Sequence, residues 1–99
     1  MVKAIKLQDA RLGLSATVFV EIVIWEVPYP VRGSRHQFKY RLALVADEIC
    51  VLRYDNEAGK GDHRHVGDNE GPYEFVDIDR LRADFLMDAR AWIERYGHR

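Results

Sequence analysis

Cysteine is nearly absent from this chain. Cys50 stands alone, so no internal disulfide can form and a packed core must supply the stability. Long apolar runs are missing too. The run Ile22-Val23-Ile24-Trp25 is bounded by Glu21 and Glu26, and no stretch approaches the roughly 20 residues a membrane span needs. Charge of one sign is lacking: the formal net charge is -1 and the pI is near 6.4. The field of the whole molecule therefore offers no drive towards nucleic acid or membrane, and any electrostatic argument must be local. No internal repeat or low-complexity tract is present. Met1-Val2-Lys3-Ala4-Ile5-Lys6 lacks the apolar core and cleavage site of a signal peptide. Together these absences lead us to expect a cytoplasmic protein in a reducing compartment, with no membrane association.

What is there is ordinary globular material. The 99 residues are 47% hydrophobic and 31% charged, enough for one core and too few for two domains. We expect a single α+β domain over residues 1–99. Val2 to Asp9 alternates loosely and predicts a short strand. Thr17 to Val27 is rich in β-branched and aromatic residues on both alternating sets, which predicts a long strand covered on both faces, or on one face by a partner. After Pro28, Pro30, Gly33 and Ser34, residues Phe38 to Ala46 alternate cleanly. Phe38, Tyr40, Leu42 and Leu44 fall on one side and Lys39, Arg41, Ala43 and Val45 on the other. Asp47-Glu48 reads as a tight turn, although its sequence is poor for a type I′ hairpin. Ile49 to Asp55 and Asp62 to Val66 predict the next strands, and Gly67 to Pro72 a closing loop.

From Asp77 to Tyr96 the apolar residues Ile78, Leu81, Phe85, Ala89, Trp92, Ile93 and Tyr96 follow helical spacing. Asp77 predicts the N-cap and Gly97 the stop. Arg80, Arg82, Asp84, Asp88 and Glu94 are expected to face water. The fold that follows is an antiparallel sheet of four or five strands in hairpin order with one C-terminal helix packed on one face. Such a sheet leaves its other face poorly covered, a physical reason to expect a homodimer or an obligate partner.

The chemistry-bearing residues concentrate between Arg53 and His65. Asp55, Asn56, Glu57, Lys60, Asp62, His63, Arg64 and His65 crowd one strand end and the hairpin that follows. On an extended strand His63 and His65 share a face, roughly 6.5–7 Å apart, with Arg64 opposite. Three readings compete. The histidines can exchange proton roles on a phosphodiester, with Lys60 or Arg64 stabilising its charge and no metal or cofactor required. His63, His65 and Asp55 can bind a metal. Or the cluster is structural, with Asp55 and Asn56 closing the strand end and the histidines pairing with carboxylates.

Gly59-Lys60-Gly61 lacks the rest of a phosphate loop, since Asp62 follows. Ser15 and Ser34 sit in no nucleophile elbow. Cys50, in the apolar run Ile49 to Leu52, reads as a small core residue. Upstream, Arg32, Arg35, His36, Lys39 and Arg41 occur with no carboxylate between Val27 and Ala46, interleaved with Phe38 and Tyr40. With a two-residue turn at Asp47-Glu48, Arg41 would lie across from Tyr54 and Lys39 across from Asn56. That would extend the site into a basic, aromatic surface of the kind RNA binding uses. Its alternative is a solvated strand face whose Lys and Arg prevent edge aggregation.

The block Arg53-Tyr54-Asp55-Asn56, followed by Gly-Lys-Gly-Asp-His-Arg-His, resembles the TumE-type toxins of toxin–antitoxin pairs. The resemblance extends to Ile24-Trp25-Glu26-Val27-Pro28, to Phe38-Lys39-Tyr40-Arg41 and to the helix after Phe75. It implies a toxin acting on RNA or translation, neutralised by direct contact with an antitoxin, commonly of helix-turn-helix type. It also implies that Tyr54, Asp55, Asn56, Lys60, His63 and His65 form the site. Two hypotheses follow. In the first, a metal-independent ribonuclease-like toxin uses His63 and His65 for acid–base work and Asp55 to orient one of them. Lys39, Arg41, Tyr54, Asn56, Lys60 and Arg64 then bind substrate. In the second, a non-enzymatic module binds protein through the open sheet face.

Overall fold

Every strand of the computed structural model pairs with its neighbour in sequence, because each connection except one is too short for a crossover. The structure describes residues 3–97, so Val2, the expected first strand residue, lies outside them. Six strands run β1 (Ile5–Gly13), β2 (Val18–Glu26), β3 (Phe38–Ala46), β4 (Ile49–Glu57), β5 (Gly61–Val66) and β6 (Asn69–Pro72). They form one antiparallel sheet in the order β1-β2-β3-β4-β5-β6, followed by the helix α1 (Ile78–Tyr96). The α+β class and hairpin order match the sequence reading, but its strand count of four or five does not. The sixth strand, β6, comes from the residues expected to be a closing loop. Asn69-Glu70-Gly71-Pro72 has turn composition. It is extended because Gly67-Asp68 turns the chain back and pairs Val66 with Asn69 and His63 with Pro72.

One face of the sheet carries the core. Val20, Ile22 and Ile24 of β2, Tyr40, Leu42 and Leu44 of β3, and Leu52 and Tyr54 of β4 are buried together under Leu81, Phe85 and Ala89 of α1. These strand residues alternate with a period of two and the helix residues recur every fourth position, the two patterns needed to bring a strip of sheet against a strip of helix. Asp77 caps the helix as expected: its side chain accepts a hydrogen bond from Arg80 N–H at 2.7 Å. Gly97 N–H closes the other end on the Ile93 carbonyl at 2.7 Å.

The other face has no covering layer among the described residues. Phe19, Val23 and Trp25 lie there only half-buried. Long cationic side chains give partial shelter, with the Arg11 guanidinium 3.8 Å above the Phe19 ring and Lys6 Nζ 4.9 Å above Trp25. Cys50 pairs with Val45 and is exposed, so the expectation of a core thiol is corrected. It precedes the point where β4 turns its apolar residues to the helix.

That point is a β-bulge. The turn at Asp47-Glu48 does have two residues, both at positive φ (51° and 70°), and pairs Ala46 with Ile49. The register then shifts between Leu44 and Val45, leaving Val51 without a partner on β3, while its carbonyl accepts from Gly67 N–H at 3.0 Å. A one-residue slip moves every later side chain to the opposite face. Arg41 therefore lies across from Asp55, not from Tyr54.

Candidate functional site

The bulge divides the expected site between two faces. Asp55 pairs with Arg41 on one side and His63 on the other, and Arg53 pairs with His65. Arg41, Arg53, Asp55, His63 and His65 thus stand together on the open face, and Lys39 joins them next to Trp25. Tyr54 and Asn56 face the helix and are 2% and 1% exposed. Arg64 pairs with Tyr54 and also faces the helix. Lys60 occupies the β4–β5 turn, exposed, with Nζ 3.8 Å from Glu57. The basic strip splits likewise. Lys39 and Arg41 reach the open face, whereas Arg32, Arg35 and His36 sit on the long β2–β3 loop.

On the open face, the half-buried Arg53 is the hub. Its Nε lies 3.0 Å from Asp55 Oδ2, an ion pair in which the N–H is not aimed at the oxygen. Its Nη2 lies 3.0 Å from His65 Nε2. A guanidinium only donates, so this contact requires a lone pair on Nε2 and places the proton of neutral His65 on Nδ1. His63 Nδ1 lies 3.2 Å from the Gly61 carbonyl, which only accepts, so Nδ1 carries a proton there and Nε2 is left for other work. Both Nε2 atoms point towards one carboxylate, Glu70 Oε1, at 4.0 Å from His63 and 3.7 Å from His65. The two rings are 6.5 Å apart between centroids. Beside them Trp25, Lys39, Arg41, Arg53, Asp55 and Glu57 border a groove of about 350 Å³. Asp55 reaches His65 through Arg53. Among the described residues, no three His, Cys, Asp or Glu side chains converge closely enough to hold a metal ion.

The helix-side cluster ties elements together. Tyr54 O–H donates to Asp88 Oδ2, and Arg64 Nε lies 2.7 Å from the same oxygen. Tyr73 O–H donates to Asp84 at 2.6 Å, and Arg80 Nε donates to it at 3.0 Å. Asp84 and Asp88 were expected to face water; instead they flank the buried stripe and bind sheet-side partners. Burial first, and then the hydrogen bond to a carboxylate, pushes both phenols well above their ordinary range. The Tyr73 hydrogen bond, assisted by Arg80, holds Asp84 below the usual carboxylate range. The hydrogen bond from Arg64 to Asp88 raises the guanidinium further.

Asn56 continues the β3–β4 ladder beyond its last pair. Its Oδ1 accepts from Tyr40 N–H at 2.9 Å and its Nδ2 donates to the Phe38 carbonyl at 2.7 Å and to Ser34 Oγ at 3.2 Å. Asp62 collects three donors: Ser34 Oγ at 2.6 Å, His36 Nε2 at 2.7 Å and Tyr40 O–H at 2.6 Å. Phe38 N–H donates to His36 Nδ1 at 3.2 Å, so the His36 proton sits on Nε2. His36 also stacks on Phe75 at 3.7 Å between centroids. This network holds the β2–β3 loop down. It explains Gly59-Lys60-Gly61 as well: a Cβ on Gly33 would lie 2.7 Å from Gly61 N, and one on Gly61 2.8 Å from the Gly33 carbonyl. Gly33 and Gly61 are there for a backbone-to-backbone contact at positive φ, and Gly59, also at positive φ, lies against the Arg32 guanidinium.

Sequence reasoning passed over Glu70, Trp25 and Glu21 as site residues. Glu70 sits in the unforeseen β6, and Glu21, whose Oε1 is 3.4 Å from Arg41, comes from a strand read only for its apolar content. Arg53 opened the marked stretch without being given a role.

A small α+β protein with one helix-covered sheet face and one open, polar face is the class that fold and site define. The chain belongs to the Toxin TumE family, whose model matches residues 2–95. No curated protein and no solved structure matches it. Among the described residues no helix is long and apolar enough to cross a membrane.

Proposed function

We infer from its membership of the Toxin TumE family that the chain is the toxin component of a toxin–antitoxin pair. We propose that it acts on RNA through the open sheet face, as a metal-independent ribonuclease-like enzyme. The observation that carries this reading is the pair of half-buried imidazoles, 6.5 Å apart, with Nε2 of each turned to the same side. One imidazole in its neutral form takes the proton of a 2′-hydroxyl, and the other, protonated, gives one to the leaving oxygen. Arg53 Nη2 donates to the lone pair on His65 Nε2. Glu70 Oε1 faces the Nε2 atoms of both rings. Arg41 and Lys39 hold phosphate, and Trp25 offers an aromatic surface for a base. Tyr54, Asn56 and Arg64 act here as supports and do not touch substrate.

A labelled RNA incubated with purified protein, with and without a chelator, tests this. Cleavage is expected in both conditions and is expected to disappear in His63→Ala and His65→Ala. If the wild type leaves the RNA intact, or the variants cleave it at the wild-type rate, the reading fails.

A second reading has its own observation. The open face is mixed in charge, with Arg41 paired to Glu21 and Arg53 to Asp55, and it exposes part of Phe19, Val23 and Trp25. Such a surface suits a protein partner, which would be bound without chemistry; the antitoxin, of helix-turn-helix type in this reading, is one candidate. Loss of partner binding in Trp25→Ala, with no RNA cleavage by the wild type, supports it.

A further inference from the structure

The two edges of the sheet are unequally protected. β6 has four residues, Asn69–Pro72, and ends in a proline that has no N–H to offer another strand. β1 has nine residues, Ile5–Gly13, contains no proline, and among the described residues is hydrogen-bonded on one edge only, to β2. All of β1 is exposed except the half-buried Gln8, whose Oε1 accepts from Arg82 of the helix at 2.9 Å. A long exposed edge of this kind is a template for another strand.

We propose that β1 pairs antiparallel with β1 of a second copy, around a two-fold axis through Ala10. The charges on the strand select both the occupant and the register. The dyad of an antiparallel pair is perpendicular to the sheet, so residues placed opposite each other come from the same face. A bulge between Lys6 and Gln8 leaves Gln8–Gly13 as the regular segment, with Asp9 and Arg11 on the open face and Gln8, Ala10 and Leu12 on the helix face. An axis at residue 9 sets Asp9 against Asp9. One at residue 11 sets Arg11 against Arg11. An axis at Ala10 sets Asp9 against Arg11 twice and places two small side chains at the centre. Opposite charges directly across a strand pair stabilise it and like charges oppose it.

The charged groups already facing these two residues do not block the pairing. Lys6 Nζ is 3.0 Å from Asp9 Oδ2, leaving the other carboxylate oxygen for a second cation. Arg11 lies over Phe19 and pairs across the ladder with Glu21. On the helix face Leu12, 60% exposed in one copy, falls against Gln8 and Ala10 of the other. The product is one continuous sheet with both helices on one side and both open faces on the other. This inference does not depend on the RNA reading.

Sedimentation velocity on the full chain tests it. The wild type sediments as a dimer. Asp9→Arg and Arg11→Asp each create two like-charge contacts and raise the dimer dissociation constant roughly 10-fold or more. Mixed in equal amounts, the two variants restore opposite charges at both contacts and recover the dimer mass. The double variant Asp9→Arg with Arg11→Asp on one chain also recovers it, which covers the case in which a single variant folds poorly. A monomeric wild type, single variants as dimeric as the wild type, or a mixture and double variant that both stay monomeric each overturn the proposal.

Discussion

Strands β4 and β5 carry two polar clusters back to back, built from neighbouring residues of one sequence block. On the helix side, Tyr54, Asn56 and Arg64 are joined to Asp88, Tyr40 N–H and the Phe38 carbonyl, each donor facing an acceptor. On the open side, Arg53, Asp55, His63, His65 and Glu70 are linked more loosely. Among the described residues Arg53 Nε–H finds no acceptor in line, and the contacts from Glu70 to the two imidazoles are 3.7 and 4.0 Å long. A closed network under a helix fixes structure, because breaking it strands buried polar groups. A loose network facing solvent can trade its partners for a ligand. Residue type does not distinguish the two clusters. The face does, and a single unpaired residue, Val51, sets the face.

The comparison breaks first at Asn56. Asn56→Ala strands the Tyr40 N–H and the Phe38 carbonyl in a buried place and is expected to cost about 3 kcal/mol in urea unfolding. A loss below about 1 kcal/mol would mean that the ladder closes without it.

Tyr54→Phe gives a smaller effect, about 1–2 kcal/mol, since Asp88 keeps Arg64. The same substitution sharpens the pH dependence. Tyr40, Tyr54 and Tyr73 all have folded-state values raised by burial and by carboxylate neighbours. Above about pH 10 the unfolded chain loses these protons while the folded chain keeps them, so deprotonation favours unfolding. Stability is therefore full below that pH and falls as pH rises through the alkaline range. Tyr54→Phe is expected to make the fall shallower, measured by thermal melts at a series of alkaline pH values. An unchanged slope would place Tyr54 outside the buried network.

Much of this fold was legible because its alternation was clean. β3 reads correctly from Phe38 to Ala46, and α1 is announced by Asp77, the Leu81-Phe85-Ala89 stripe and Gly97. β6 was not legible, since Asn69-Glu70-Gly71-Pro72 has no propensity for strand and is extended only by pairing with β5. The Val51 bulge leaves no mark either: valine suits a regular strand, so nothing in the residues predicts that it goes unpaired. That one event misplaced Tyr54 and Asn56. The same sequence block does hold the open-face cluster, because His63 and His65 share a face whatever the register of β4. Asp84 and Asp88 looked like solvated helix charge. Their four-residue spacing beside the stripe was the available signal, and it becomes meaningful only once Tyr54 and Tyr73 are known to lie beneath them.

The smallest expected stability effect belongs to the open face, and it gives the most direct test of the central claim that this face does the work. The measurement is growth arrest on induced expression of the His63→Ala/His65→Ala double variant, paired with its melting temperature. The variant is expected to melt with the wild type, within about 0.5 kcal/mol of its stability, and to lose the toxicity. Full toxicity in a variant that folds normally would contradict the account and move the working surface elsewhere.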